Sequence, residues 1–339
     1  MTKIYNRFYN RIFGDRPDTA APQFVILLFI LSITIWNAKP ALAQSAGHEK
    51  QQPRKAHTVE VVSTGMNFKL PDKIKSGWIT FRYKNRSELT HFFAIEKMPE
   101  FEGDQKNVKD SKAEVVPAFQ KIMHAINDGK EKLPLGELPA WYQEVKFVGG
   151  PGLIAPGKTA VSTLHLEPGT YVIECYVKSP DGIFHSTNGM IEGLTVTEES
   201  SNSGAPKPTL EMRLSSEKGI SVDEDIRPGD HTIAVHFEDQ KVQEHFLGFD
   251  VHLARLNKHM DIDKLAAWMD WSNPDGLTTP APANFLGGTQ EMPGGNTAYV
   301  HIELKPGKYA WIAEVPNSAE KDMLKIFTVP PGINSSERF

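Results

Sequence analysis

The sequence of 339 residues contains a single cysteine, Cys175. One thiol cannot build a disulfide framework, an iron–sulfur cluster or a thiolate-rich zinc site. Basic charge is also scarce, since 37 Lys and Arg stand against 42 Asp and Glu and the net charge is −5. A mildly acidic chain is a poor partner for phosphate backbones and anionic lipid. These shortages exclude nucleic-acid binding and disulfide-stapled folds.

Common catalytic motifs are missing as well. The chain has no Gly-x-Ser-x-Gly elbow, no His-Glu-x-x-His helix and no His-x-His pair. Hydrophobic residues nevertheless make up 40% of the chain and charged residues 23%, which is enough to bury a core. The length favours two domains over one.

The N-terminus resembles an export signal. A basic leader precedes an apolar run of thirteen residues, 24–36, and a small-x-small cleavage pattern lies at 41–43. A membrane span needs about 20 apolar residues, so this run is short for an anchor, although an uncleaved anchor is the alternative. We predict a Sec-type signal peptide at 1–43, cleaved before Gln44. The mature chain would be periplasmic or secreted and would have no membrane span.

The chain contains an internal repeat. The Val-Gly-Gly motif at 148–150 matches Leu-Gly-Gly at 286–288, at an offset of 138 residues. At the same offset, Leu-x-Pro-Gly-x-Tyr at 166–171 matches the same motif at 304–309. The offset becomes 133 where Met190 matches Met323, so the second copy has a loop that is five residues shorter. Two long copies indicate a tandem duplication and not a solenoid.

A polar, Ser-, Gly- and Pro-rich stretch separates the two copies and is typical of a linker. We therefore predict five segments. They are the signal peptide 1–43, a flexible segment 44–56, a first domain 57–197, the linker 198–210 and a second domain 211–332.

Within each copy the strongest pattern is that of β-strands. Residues 78–84 alternate apolar and polar side chains, and 164–177 reads as two strands around a Pro-Gly turn. Helical patterns are confined to 112–126 and 265–269. The fold class we predict is all-β: two tandem Greek-key β-sandwiches with short helical insertions.

Four side chains of the first copy are candidate metal ligands. Cys175 ends a strand that faces the core, His185 and Met190 follow in the next loop, and His91 follows a polar turn. Two His and one Cys in a plane, with a weak axial Met, form a mononuclear copper site for electron transfer. Each residue also has an ordinary interpretation: packing for Met190, a surface or loop position for the histidines, and an inert buried thiol for Cys175.

These residues resemble those of the cupredoxins, the blue-copper fold of plastocyanin and azurin, over the whole of 57–197. The His-x-Thr-x-Gly-Met run at 185–190 is similar to the type 1 copper loop of copper nitrite reductases. The resemblance implies one type 1-like copper ion bound by His91, Cys175, His185 and Met190. The chain departs from the pattern in its long spacer of nine residues between Cys175 and His185. It also departs by having Phe92, instead of Asn, after His91.

The second copy lacks this set of ligands. Ala313 stands at the position of Cys175, Asp250 at the expected position of His91, and the shortened loop 316–322 contains no histidine. We predict a degenerate cupredoxin-like domain that binds no copper in this place. A divalent metal at Asp250 and His252, which lie two apart on one strand face, is the alternative there.

The neighbours of Cys175 bear on enzyme activity. Multicopper oxidases place a His on each side of their Cys, and copper nitrite reductases, whose copper loop is similar to 185–190, place one beside it. Here the neighbours are Glu174 and Tyr176. Neither activity is expected. Three functions remain: electron transfer to an unknown redox partner protein, copper transport or storage, and a copper-free cupredoxin-like module that binds protein or glycan.

Overall fold

The computed structural model of the protein describes residues 56–130, 132–223, 225–241 and 248–331. The predicted signal peptide, 1–43, and its cleavage site lie outside these residues. Within the described ranges no helix is long and apolar enough to cross a membrane.

Strands dominate both parts of the chain. The N-terminal part contains β1 (His57–Thr64), β2 (Asn67–Lys69), β3 (Lys73–Asn85), β4 (Ala94–Lys97), β5 (Glu100–Phe101), β6 (Asp104–Gln105), β7 (Lys146–Phe147), β8 (Thr159–Leu166), β9 (Gly169–Glu174) and β10 (Ile191–Ser200). The C-terminal part contains β11 (Leu210–Ser215), β12 (Gly219–Val222), β13 (Gly229–Phe237), β14 (Val251–Leu256), β15 (Asn284–Thr289), β16 (Thr297–Leu304), β17 (Gly307–Ile312) and β18 (Leu324–Val329). The predicted all-β class is confirmed.

The alternation in β3 shows why these residues form strands. Ile79, Phe81 and Tyr83 are fully buried on one face, while Arg82 between them is exposed. Successive side chains of a strand point to opposite faces, so an alternating segment can bury one face and leave the other in water. The strand thereby contributes three large side chains to the core.

The strands form one large sheet and two smaller ones. The large sheet has the order β12-β11-β13-β16-β8-β3-β10-β9-β4-β7, with β1 paired to β3 and to β2. The second sheet has the order β15-β14-β17-β18, and β5 pairs with β6. The large sheet runs across both parts of the chain, because β8 and β16 pair antiparallel at 161–163 and 299–301. The division into domains at 198–210 stays a prediction.

Helices are short insertions, as expected. The predicted helix at 112–126 consists of α1 (Val108–Asp110), a π-helical turn at Ser111–Val115 and α2 (Val116–Asn127). Pro117 is the second residue of α2, which directly follows this π-helical turn. The second insertion holds α3 (Ile262–Trp268), and two short 3-10 turns precede β7.

The repeated Gly-Gly motif has a steric cause. Gly150 has φ +138°, and a Cβ atom there would lie 2.0 Å from the carbonyl oxygen of Phe93. Gly288, its counterpart in the second copy, has φ +140° and would place a Cβ 2.1 Å from the carbonyl oxygen of Val251. Only glycine allows the backbone to approach the neighbouring strand this closely.

We predict that Gly150→Ala lowers the free energy of unfolding by about 3 kcal/mol or more, because the new methyl group must displace backbone atoms of the adjacent strand. The matched control is Gly157→Ala, where φ is +71° and the space is open. Its cost is the left-handed backbone alone, about 1 kcal/mol. Denaturant unfolding of both variants measures the difference, and equal losses would contradict the steric explanation.

Candidate metal centre

Three of the four predicted ligands meet in the core of the N-terminal part. The Nδ1 atoms of His91 and His185 lie 3.0 Å apart, and each lies 3.7 Å from Sγ of Cys175. All three side chains have no exposed surface. His91 is therefore not a surface residue, and His185 is buried although it lies in a turn of the loop.

The spacing of these three atoms matches a metal ion. A point equidistant from three atoms separated by 3.0, 3.7 and 3.7 Å lies about 2.0 Å from each, within the range of roughly 2.0–2.3 Å for metal–imidazole and metal–thiolate bonds. Two imidazole nitrogens and one sulfur in a plane suit copper in either common oxidation state. The donor atoms and the distances between them therefore fit copper, the ion that the sequence predicts.

A hydroxyl group orients one imidazole. Nε2 of His91 lies 2.9 Å from Oγ of Ser87, and this Oγ also accepts the backbone N–H of Leu89 at 3.1 Å. When Nδ1 of His91 presents its lone pair to a metal, Nε2 carries the ring proton and Ser87 accepts it. Such partners fix the ring and the tautomer of metal-binding histidines.

The turn before His91 is built around Asn85, the last residue of β3. Its Oδ1 accepts the backbone N–H of Ser87 and the hydroxyl of Ser63, and its Nδ2 donates to the carbonyls of Leu89 and Ile154. The side chain is buried, so these bonds replace its contacts with water. They fix the polar turn and place the hydroxyl of Ser87 within hydrogen-bonding distance of Nε2 of His91.

Backbone hydrogen bonds close the loop that carries the other ligands. Cys175 donates its N–H to the carbonyl of Met190, Met190 donates to that of His185, and His185 donates to that of Val177. The side chain of Met190 is fully buried, and its backbone is hydrogen-bonded to both Cys175 and His185. Its sulfur as a weak fourth ligand stays a prediction.

Side chains outside the loop hold it from two sides. From α2, Gln120 accepts the N–H of Phe184 and the hydroxyl of Thr187. From within the loop, Lys178 extends toward the C-terminal part. Its buried Nζ donates to the carbonyls of three residues there, Trp271, Asn273 and Pro274. Because hydrogen bonds to both parts of the chain hold this loop, His185 and Cys175 have little conformational freedom.

Burial sets the protonation of the ligands. It lowers the pKa of His91 to about 3, with the charge of His185 as a second cause, and lowers the pKa of His185 to about 4. It raises the pKa of the Cys175 thiol to about 12, against the opposing effect of the Phe92 and Val177 backbone amides. At neutral pH the imidazoles are thus uncharged and the sulfur carries its proton.

A second group of possible ligands lies in the C-terminal part: Asp250, His252 and Glu314. Nδ1 of His252 accepts the backbone N–H of Leu153 at 3.0 Å, so the ring proton is on Nε2, which lies 2.5 Å from Oδ2 of Asp250. Both ring nitrogens of His252 therefore already have hydrogen-bond partners. His252 therefore differs from His91 and does not offer a metal a lone pair, which contradicts a site that uses His252 as a ligand.

The equivalence of Asp250 with His91 is wrong by one position. The carbonyls that approach the repeated glycines belong to Phe93 and Val251, so the counterpart of His91 is Phe249 and that of Phe92 is Asp250. The other equivalences agree with the backbone, because Ala313 donates to Met323 as Cys175 donates to Met190. Met323 in turn donates to Ser318, which is the counterpart of His185. None of the three planar ligands recurs at these positions.

No protein-family model and no curated protein matches the chain. Among solved structures it is similar to an auracyanin of Roseiflexus castenholzii, with 24% identity, 42% of this chain and 98% of that chain covered, and a TM-score of 0.25. Auracyanin A, a "blue" copper protein of Chloroflexus aurantiacus, has 22% identity and a TM-score of 0.27, and the match covers 42% of this chain and 100% of that chain. A multicopper oxidase has 14% identity and a TM-score of 0.22, and the match covers 81% of this chain and 88% of that chain.

We predict that Ser87→Ala lowers the affinity for Cu(II) about 10- to 100-fold, because the ring proton of His91 loses its acceptor and the imidazole its orientation. Competition with a chelator of known affinity measures the change. Ser221→Ala, at an exposed position of β12, is the control and should bind as the parent does. An unchanged affinity in Ser87→Ala would contradict the orienting role of the hydroxyl.

The protonation states predict how binding depends on pH. Between pH 6 and 8, each Cu(II) bound should release one proton, because Cys175 is a thiol with a pKa of about 12 and the imidazoles, with pKa values of about 3 and 4, are already neutral. The affinity should then rise about tenfold per pH unit. Proton release in weak buffer checks this, and release of two or three protons would show that the histidines are charged in the free protein.

Proposed function

We propose that the chain binds one copper ion through His91, Cys175 and His185, with Met190 as a weak axial ligand, and transfers single electrons. The observation that carries this proposal is the triangle of two Nδ1 atoms and one Sγ with sides of 3.0, 3.7 and 3.7 Å. Bound copper would supply the one-electron couple, and the chain would supply a donor set suited to both oxidation states.

Burial and rigidity favour electron transfer over the alternatives. The three ligands have no exposed surface, which disfavours direct binding of a small-molecule substrate to the metal. The Ser87, Gln120 and Lys178 hydrogen bonds hold the ligands in one arrangement, which limits rearrangement between oxidation states. A carrier that must release its ion would need a more accessible site.

The same reasoning extends to activity, partner and location. Cys175 lies between Glu174 and Tyr176, so the thiolate has no adjacent imidazole to lead to a second copper, and oxidase or nitrite reductase activity is not part of the proposal. The partner would be another redox protein. The basic leader and apolar run at the N-terminus support export to the periplasm or the medium.

Titration of the copper-free chain with Cu(II) tests the proposal. We expect an intense visible thiolate-to-copper band that saturates at one ion per chain and is absent in Cys175→Ser, because the transition needs the sulfur ligand. Met190→Leu should keep the band and change the reduction potential, since the axial ligand tunes it.

The possible results separate the three functions. A chain without any visible band, folded as judged by circular dichroism, would contradict the copper proposal and favour a copper-free binding module. A chain that binds only Cu(I), or loses copper quickly to a chelator, would favour transport or storage.

A further inference from the structure

Two carboxylates face each other in the core of the C-terminal part without a hydrogen bond between them. Asp250 and Glu314 are 2% and 1% exposed, and a carboxylate oxygen of each belongs to a group of ligand atoms that lie within 4.8 Å of one another. The Oε1 atom of Glu314 has no hydrogen-bond partner among the described residues, although it is fully buried. Buried polar atoms without a partner are rare and call for an explanation.

The other oxygens of this pair are already held in place. Asp250 accepts the backbone N–H of Glu314 at Oδ1 and Nε2–H of His252 at Oδ2, at 2.7 and 2.5 Å. Oε2 of Glu314 accepts the hydroxyl of Tyr176 at 3.3 Å. These bonds orient both carboxylates and leave Oε1 of Glu314 as the oxygen that is free to bind something else.

Further acidic groups surround this pair. Glu291 is also buried, its Oε2 has no hydrogen-bond partner within the described ranges, and it is repelled by Asp250. Burial, the charge of Asp250 and the charge of Glu291 all raise the pKa of Glu314. The buried Lys178 interacts electrostatically with Glu314, but its Nζ is already bound to three backbone carbonyls. A bound cation would lower these pKa values and favour the ionised carboxylates that can ligate it.

We propose that Asp250 and Glu314 bind a hard divalent cation of the Mg²⁺, Mn²⁺ and Ca²⁺ class. Carboxylate oxygens are the ligands that these ions prefer. His252 would be a positioning residue, because its Nε2–H holds Asp250 while the amide of Leu153 occupies its other nitrogen. This arrangement is of the kind in which outer hydrogen bonds orient a ligating carboxylate. The proposal does not depend on copper at Cys175.

Mn²⁺ is the probe, and Cys175→Ser is the parent chain, so that the thiolate site cannot bind it. The chain is unfolded with a chelator, refolded with or without Mn²⁺, and freed of loose ions by gel filtration. We expect one Mn²⁺ per chain by elemental analysis, a bound-Mn²⁺ signal by electron paramagnetic resonance, competition by Mg²⁺ or Ca²⁺, and a higher melting temperature with the ion.

Variants assign the ligands. Asp250→Asn and Glu314→Gln preserve shape and should lower the affinity for Mn²⁺ more than about 100-fold, whereas His252→Gln should lower it about 10- to 100-fold. Glu320→Gln, an exposed carboxylate in the following loop, is the matched control and should bind as the parent does. The metal-free melting temperature of Glu314→Gln should equal or exceed that of the parent, because burial and the neighbouring charges disfavour the ionised form of Glu314 and glutamine cannot ionise.

Two results would overturn the site. One is a correctly folded parent that retains no Mn²⁺, Mg²⁺ or Ca²⁺ after refolding. The other is a Glu314→Gln chain that binds Mn²⁺ and gains melting temperature as the parent does. If Asp250→Asn fails to fold, the comparison of Glu314→Gln with Glu320→Gln still decides whether Glu314 binds the ion. The Cu(II) titration uses the intact cysteine, so failure of either proposal is recognised separately.

Discussion

The backbone hydrogen bond from Cys175 to the carbonyl of Met190 is the constraint on which the metal centre depends. It closes a long loop at its base, and the bonds from Met190 to His185 and from His185 to Val177 continue the closure inward. An imidazole ten residues from the thiol is thereby brought within 3.7 Å of it. Loop closure of this kind costs ordering entropy, which backbone bonds and packing offset before any ion binds.

The C-terminal part shows that this closure belongs to the scaffold and does not need the ion. Ala313 and Met323 make the same backbone bond, and Met323 continues to Ser318 as Met190 continues to His185. The planar ligands are replaced, yet the backbone path is kept. The paired carboxylates of this part involve Glu314, which lies one residue beyond the counterpart of the cysteine. Equivalent strand ends of one architecture thus place different chemistry in the core.

Residue types and order were enough to predict the all-β class and to bring together His91, Cys175 and His185. The supporting residues could not be predicted. Ser87 lies in the polar turn before His91, but Gln120, Lys178 and Glu314 reach their partners only through tertiary packing between distant segments. The predicted equivalence of Asp250 with His91 is off by one residue, because the two copies carry insertions of different length between this strand and the repeated Gly-Gly motif, and the motif offset does not extend across them. The π-helical turn before Pro117 has no sequence periodicity of its own.

The pairing of β8 with β16 has a consequence for how this protein can be divided. A cut between the two parts would expose the edge of β8 on one fragment and the edge of β16 on the other, each with unpaired N–H and C=O groups. Exposed edges of this kind recruit other strands and promote aggregation. Neither part is therefore a portable module, and recombination that exchanged one half for an unrelated sandwich would have to replace its edge partner as well.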